Sequence, residues 1–166
     1  MPNWTTNTVI FSVNDKKEKS KIKLIKESVS SKESVFDFEQ IIPHPKVLSL
    51  VEKENDSKDG LNSEVSQRHP NRQWYDFQSS VWGTKWNAVD PCITYDGATK
   101  LSYEFNTAWD APRGIVDYLK FLFRDVDILW EAVHEDGNEE ETILEHKSDK
   151  RSRLNFMLDK VSPRLN

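Results

Sequence analysis

The hydrophobic period changes along this chain, and each change marks an element. From Trp4 to Val13, Val9, Phe11 and Val13 share one face while Thr8, Ile10 and Ser12 share the other, which is the two-residue period of a strand. Asn14 and Asp15 then offer capping oxygens, and Glu18 stands three residues after Asp15, the spacing that satisfies free amides in a first helical turn. The helix that follows carries Ile22, Ile25 and Val29 at intervals of three and four, with lysines at 16, 17, 19, 21, 23 and 26; those lysines read as a solvated face. Ser34 to Ile42 alternates again, Phe36 and Phe38 against Asp37 and Glu39, and predicts a second strand. Pro43-His44-Pro45 ends it, because proline brings no ladder donor and pushes the preceding residue into extended geometry. A short helix is predicted from Pro45 to Lys53, burying Val47, Leu48 and Val51. Residues 52–67 contain almost no large apolar group and cannot offset the entropy of ordering, so a mobile acidic loop is expected there.

Aromatic residues return abruptly after His69. Trp74, Phe77 and Val81 lie three and four apart, predicting two to three helical turns closed by Gly83 in a left-handed cap. Cys92–Tyr95 and Leu101–Thr107 bracket Asp96-Gly97 and predict a hairpin. Asp110 is placed to cap a further helix whose buried stripe would be Ile115, Tyr118, Leu119, Leu122 and Val126. Ile128–His134 reads as the last strand. Glu139-Glu140-Glu141 then opens a charged tail with Lys147, Lys150, Arg151 and Arg153, and Leu154, Met157, Leu158 and Val161 fall at helical spacing.

In order, these elements predict two βαβ units, an α+β fold of the ferredoxin-like, split βαβ kind. Right-handed crossovers place both helices on one side of its sheet. The domain spans residues 1–138, and residues 139–166 form the charged tail with a C-terminal helix. The aromatic helical insertion is expected to lie across the opposite side of the sheet as a lid, over Ile10 and Trp130.

Composition narrows the class. The 166 residues include 23 Lys plus Arg and 28 Asp plus Glu, a net charge of −5, and 8 Phe, 6 Trp and 4 Tyr supply bulk for a core. No apolar run approaches the roughly 20 residues of a helical membrane span. The single cysteine, Cys92, excludes a disulfide scaffold and fits a reducing cytoplasm. The start shows no basic region leading into an apolar stretch, so no signal peptide is expected.

Five ordered motifs carry a resemblance: Met-Pro-Asn-Trp at the start, Phe36-Asp-Phe leading to Ile-Ile-Pro-His-Pro, Trp74-Tyr75, Trp82-Gly-Thr-Lys-Trp86, and Thr107-Ala-Trp-Asp-Ala-Pro112. Over roughly residues 1–135 the chain resembles the YubB/Api92 ferredoxin-like family of small plasmid and phage proteins. The resemblance implies a cytoplasmic accessory protein of a mobile genetic element. It carries over no catalytic residue. Where members of that family commonly have a cysteine after Pro-Asn-Trp, this chain has Thr5, which argues against chemistry needing a thiol there.

The candidate ligand-binding residues are Arg72, Trp74, Tyr75, Trp82, Lys85, Trp86 and Trp109. They combine flat rings for a base, cations for a phosphate and a glycine that lets backbone approach. The competing structural reading packs these indoles on the sheet, with Lys85 reaching past them to solvent. Tyr103 and Phe105, the nearest counterparts of an RNA-stacking pair, are expected in the core, and the negative net charge argues against a phosphate-backbone partner. The four histidines are scattered and Cys92 has no partner at metal-ligand spacing, so neither metal nor cofactor is expected. No phosphate loop or nucleophile elbow is present. The leading expectation is a non-enzymatic protein that binds a host protein, a defence component being the specific case. The alternative is a nucleotide or single-stranded nucleic-acid binder using residues 72–86. The C-terminal helix packs on its own domain or pairs with another protein or a second copy.

Overall fold

The computed structural model describes residues 3–46, 70–135, 137 and 140–148. The short helix expected over 45–53, the loop over 52–67 and the C-terminal helix around 154–161, with its pairing surface, lie outside the described residues.

Strand β1 (Trp4–Ser12) is followed by a 3₁₀ turn (Lys16–Glu18) and helix α1 (Lys19–Val29). The Asp15 carboxylate accepts from the Lys17 amide at 2.9 Å, as its capping position requires. Next come a one-turn helix α2 (Phe38–Ile41), helix α3 (Pro70–Phe77) and a π-helical turn (Gln78–Trp82). Strands β2 (Val89–Asp96) and β3 (Lys100–Ala108), helix α4 (Arg113–Leu122) and strands β4 (Asp127–His134) and β5 (Glu140–His146) complete it. The sheet order is β2-β3-β1-β4-β5, and every neighbouring pair is antiparallel. The connection from β1 to β2 therefore passes over β3, and the one from β3 to β4 passes over β1. This is a mixed α+β architecture.

Strand register decides which side is core. Val9 lies opposite Tyr103 and Trp130, and Phe11 opposite Leu101 and Ile128, so these side chains share a face. Ile22, Ile25 and Val29 from α1 and Ile115, Val116 and Leu119 from α4 close over the same face, putting both crossover helices on one side, as expected. At its centre the Phe36 ring stacks on Phe105 at 4.8 Å and meets Tyr103 edge-on at 5.0 Å and Trp130 at 6.2 Å. Tyr103 and Phe105 are core residues, as the sequence predicts.

Four expectations are corrected. Ser34–Ile42 is not a strand: Phe36 and Phe38 are both buried, because the Asp37 carboxylate caps α2 by accepting from the Glu39 amide at 2.9 Å and the turn swings both rings into one core. The aromatic insertion does not lie across the opposite side. Trp82 packs on Phe38 at 5.6 Å, within the core that includes Phe105 and Trp130. Two features tie it there: the Trp82 indole donates to the Ile42 carbonyl at 2.9 Å, and α4 approaches the π turn so closely that a Cβ on Gly114 would stand 1.7 Å from the Val81 carbonyl oxygen. Third, Tyr118 and Leu122 are exposed, and Val116 takes a place in the stripe. The Asp110 carboxylate accepts from the adjacent Ala111 amide and does not cap α4, where Pro112 occupies the cap position. Fourth, residues 140–146 of the supposed tail form β5, whose Ile143 and Leu144 pack against the core. Gly83 closes the π turn at φ +86°, its amide donating to the Gln78 carbonyl at 3.1 Å, as expected of a left-handed cap.

The far side of the sheet is polar and partly open, with Thr6 and Glu104 exposed and Ile10 half-buried. Both edges are irregular. β2 carries Pro91, a positive φ at Asp90 and two register shifts, and β5 has one shift and the carboxylates Glu140, Glu141 and Glu145.

Candidate functional site

The candidate residues divide into an inner and an outer group. Trp82 is 1% exposed and belongs to the inner group, where the His44 ring meets Trp74 at 4.0 Å, Phe77 at 4.7 Å and Trp82 at 4.7 Å. The Glu39 carboxylate holds His44 by its Nδ1 and its backbone amide. Trp74 and Trp82 are therefore packing residues. Arg72 is on α3, and its side chain is outside the described part.

Tyr75, Lys85, Trp86 and Trp109 do converge, at the end of the sheet where β1 begins and β3 ends. The Lys85 ammonium sits 4.8 Å from the Trp86 ring and 5.2 Å from the Trp109 ring. Trp4, which was not among the candidate site residues, lies 5.9 Å from Trp86, and Tyr75 meets Trp109 edge-on at 6.0 Å. Pairing of Trp4 with Ala108 brings the first strand to Trp109, a proximity only the register reveals. Trp86 is 38% exposed and Trp109 47%.

The backbone beneath this rim is held in an unusual shape. Trp109 adopts φ +78°, a left-handed conformation that costs a bulky residue roughly 1–2 kcal/mol and persists only where its surroundings over-determine it. Its amide donates to the Asn3 carbonyl at 2.8 Å and its carbonyl accepts from the Thr5 hydroxyl at 3.2 Å. The next carbonyl, of Asp110, accepts from the Thr107 hydroxyl at 2.7 Å, and the Thr84 hydroxyl donates to the Ala108 carbonyl at 2.9 Å. Buried Asn7 anchors the set: its amide donates to the Thr5 carbonyl at 3.0 Å and the Thr107 hydroxyl at 2.9 Å, and its carbonyl accepts from the Trp130 indole at 3.1 Å. Sequence reasoning missed these polar groups. Their signal in the sequence was the presence of polar Thr5 and Asn7 at positions that share a face with Val9 and Phe11.

A charged set borders the rim. His134 Nδ1 is 2.9 Å from the Thr5 hydroxyl, and Nε2 is 3.6 Å from Glu141 and 4.0 Å from Asp110. Arg113 binds both Glu141 oxygens, at 3.1 and 3.2 Å. That bond is the first cause of a Glu141 carboxyl held below its usual range and of an Arg113 guanidinium pushed further up. Thr5, His134 and Glu141 have the order of a nucleophile, base and acid. Thr5, however, is completely buried, so no substrate carbonyl reaches its oxygen, and the trio is a structural link.

Among the described residues no group of three or more His, Cys, Asp or Glu side chains is placed to hold a metal ion. A shallow cleft of about 620 Å³ between α1 and α2 is lined by Ser30, Lys32, Glu33, Asp37 and Gln40. Its Asp37 carboxylate already accepts from Asn87 at 2.7 Å and from the Glu39 amide. Among the described residues no helix is long and apolar enough to cross a membrane. No family model, curated protein or solved structure matches the chain.

Proposed function

We propose that this chain is a non-enzymatic binding module that docks a partner protein on the rim formed by Trp4, Tyr75, Lys85, Trp86 and Trp109. The carrying observation is Trp109: a strained backbone presents a half-exposed indole beside a second one, and tryptophan and tyrosine are the residues that dominate binding energy at protein interfaces. We read the sheet as ferredoxin-like, because the order β2-β3-β1-β4 with two helix-bearing crossovers on one face is what a split βαβ arrangement needs. Trp4, Trp86 and Trp109 come from three of the motifs that resemble the YubB/Api92 family. On that resemblance the chain is an accessory protein of a phage or plasmid acting in the bacterial cytoplasm, and its partner is a host protein, a defence component in the specific case.

Capture from host lysate at moderate salt, using the chain and a Trp86→Ala/Trp109→Ala variant as baits, tests this. A partner retained by the first and lost by the second is expected. Equal capture, or no partner on either, overturns the reading.

One observation favours nucleotide binding instead: the Lys85 ammonium is held between two indole rings, which offers a base a stacking surface and a phosphate a cation. Tryptophan fluorescence that is unquenched by nucleotides and short oligonucleotides removes this alternative.

A further inference from the structure

The Thr5 hydroxyl has one hydrogen and two acceptors in reach, Nδ1 of His134 at 2.9 Å and the Trp109 carbonyl at 3.2 Å. Which one receives it depends on the imidazole. Among the described residues, the carboxylates paired with the ring, Glu141 from β5 and Asp110 from the β3–α4 junction, lie on the Nε2 side, so a neutral ring carries its hydrogen there and leaves Nδ1 as an acceptor. A protonated ring carries hydrogens on both nitrogens. Nδ1 then donates to the Thr5 oxygen, and the hydroxyl must turn its own hydrogen to Trp109. Among the described residues the other charged groups at this place are Arg113 of α4, which binds Glu141 and stands 3.9 Å from Asp110, and Glu135, whose carboxylate accepts from the Trp4 amide at 2.9 Å.

We propose that Thr5 and His134 form a one-proton switch on the docking rim. Protonation of His134 delivers the Thr5 hydroxyl to the Trp109 carbonyl and locks the left-handed turn that presents the indole; loss of the proton withdraws the hydroxyl and frees it. The hydroxyl has a single hydrogen to give, at 2.9 Å to Nδ1 or 3.2 Å to the Trp109 carbonyl, so with a neutral ring whose Nδ1 accepts, both bonds cannot be made at once. The inference rests on the rim reading above for its consequence, regulation of partner docking, but not for its chemistry.

The test uses the free, isotope-labelled chain, followed by NMR from pH 8.5 to 5 with no partner present. The Trp109 carbonyl carbon and indole signals are expected to move with the same midpoint and one-proton slope as the His134 ring, the carbonyl shifting downfield towards acid as it gains its donor. In Thr5→Val the ring still titrates and Trp109 stays still; in Thr5→Ser, which keeps a hydroxyl and the fold, the response persists. A Trp109 carbonyl that ignores the His134 titration in the unaltered chain overturns the proposal, and so does a response that survives in Thr5→Val. Loss of host-protein capture in the earlier experiment would leave this titration unchanged, so the two readings fail separately.

Discussion

Replacing Asn7 by alanine removes the group on which the rim's backbone is built. The buried Trp130 indole N–H loses its acceptor at 3.1 Å, and the Thr5 carbonyl and Thr107 hydroxyl each lose a donor. An orphaned buried donor costs about 1–3 kcal/mol, and each of the other two bonds contributes about 0.5–1.5 kcal/mol. Together they amount to roughly 2–6 kcal/mol, a large share of the 5–15 kcal/mol typical of a whole domain. Urea denaturation should show the midpoint falling with an unchanged slope, and the melting temperature should drop by about 10 °C, at roughly 2–4 °C per kcal/mol for a chain of this size. Trp130→Phe deletes the donor and leaves the Asn7 carbonyl unpaired, so it is costly alone. Combined with Asn7→Ala it removes both partners, and the double variant should be more stable than the sum of the singles by about 1–2 kcal/mol. Strict additivity, or an Asn7→Ala cost below about 1 kcal/mol, would refute the claim that this amide organises the end of the sheet.

Other substitutions probe other parts of the fold. Gly114→Ala places a methyl against the Val81 carbonyl, at 1.7 Å from its oxygen, so it should destabilise by more than about 3 kcal/mol in thermal melts, whereas alanine at an unconstrained helical glycine is favourable. Tyr103→Phe should leave stability unchanged or raise it by up to about 1 kcal/mol, because the Tyr103 hydroxyl is buried with no hydrogen-bond partner among the described residues. Burial pushes the Tyr103 phenol above its ordinary range, with the Asp96 charge adding to it. The unfolded chain therefore ionises first as pH rises past about 10, and the stability lost there should be reduced in Tyr103→Phe. The Glu141 carboxyl, depressed chiefly by its bond to Arg113, contributes fully above the ordinary glutamate value of about 4.3 and loses its contribution as pH falls through its lower folded value. Carboxyl NMR should find its midpoint below that ordinary value, and Arg113→Ala should move it up.

Elements with a clean hydrophobic period were legible in the sequence. β1, α1, the β2–β3 hairpin, α4 and β4 all come from runs in which apolar side chains recur every two or every three to four residues. Phe36-Asp37-Phe38 deceived because a capping aspartate between two core rings has the same alternation as a strand. β5 was missed because Glu-Glu-Thr-Ile-Leu-Glu-His offers only two apolar groups, Ile143 and Leu144, to the core, so a half-exposed edge strand resembles a solvated tail. At the candidate site, Lys85, Trp86, Trp109 and Tyr75 were recognised by type. What separated them from Trp74 and Trp82 was depth, set by the tight approach at Gly114 and by the Trp82 bond to Ile42. Trp4 joins them only through a pairing of residues about a hundred positions apart, and the network of Thr5, Asn7, Thr107 and Trp130 lies across three strands. Long-range register of this kind leaves no local mark.

The two margins of the sheet carry opposite but equivalent deterrents. On one, a proline and broken pairing leave an incoming backbone without a continuous row of partners; on the other, carboxylates repel a second copy of themselves. Ribbons of this protein should therefore not grow by strand addition, even at high concentration.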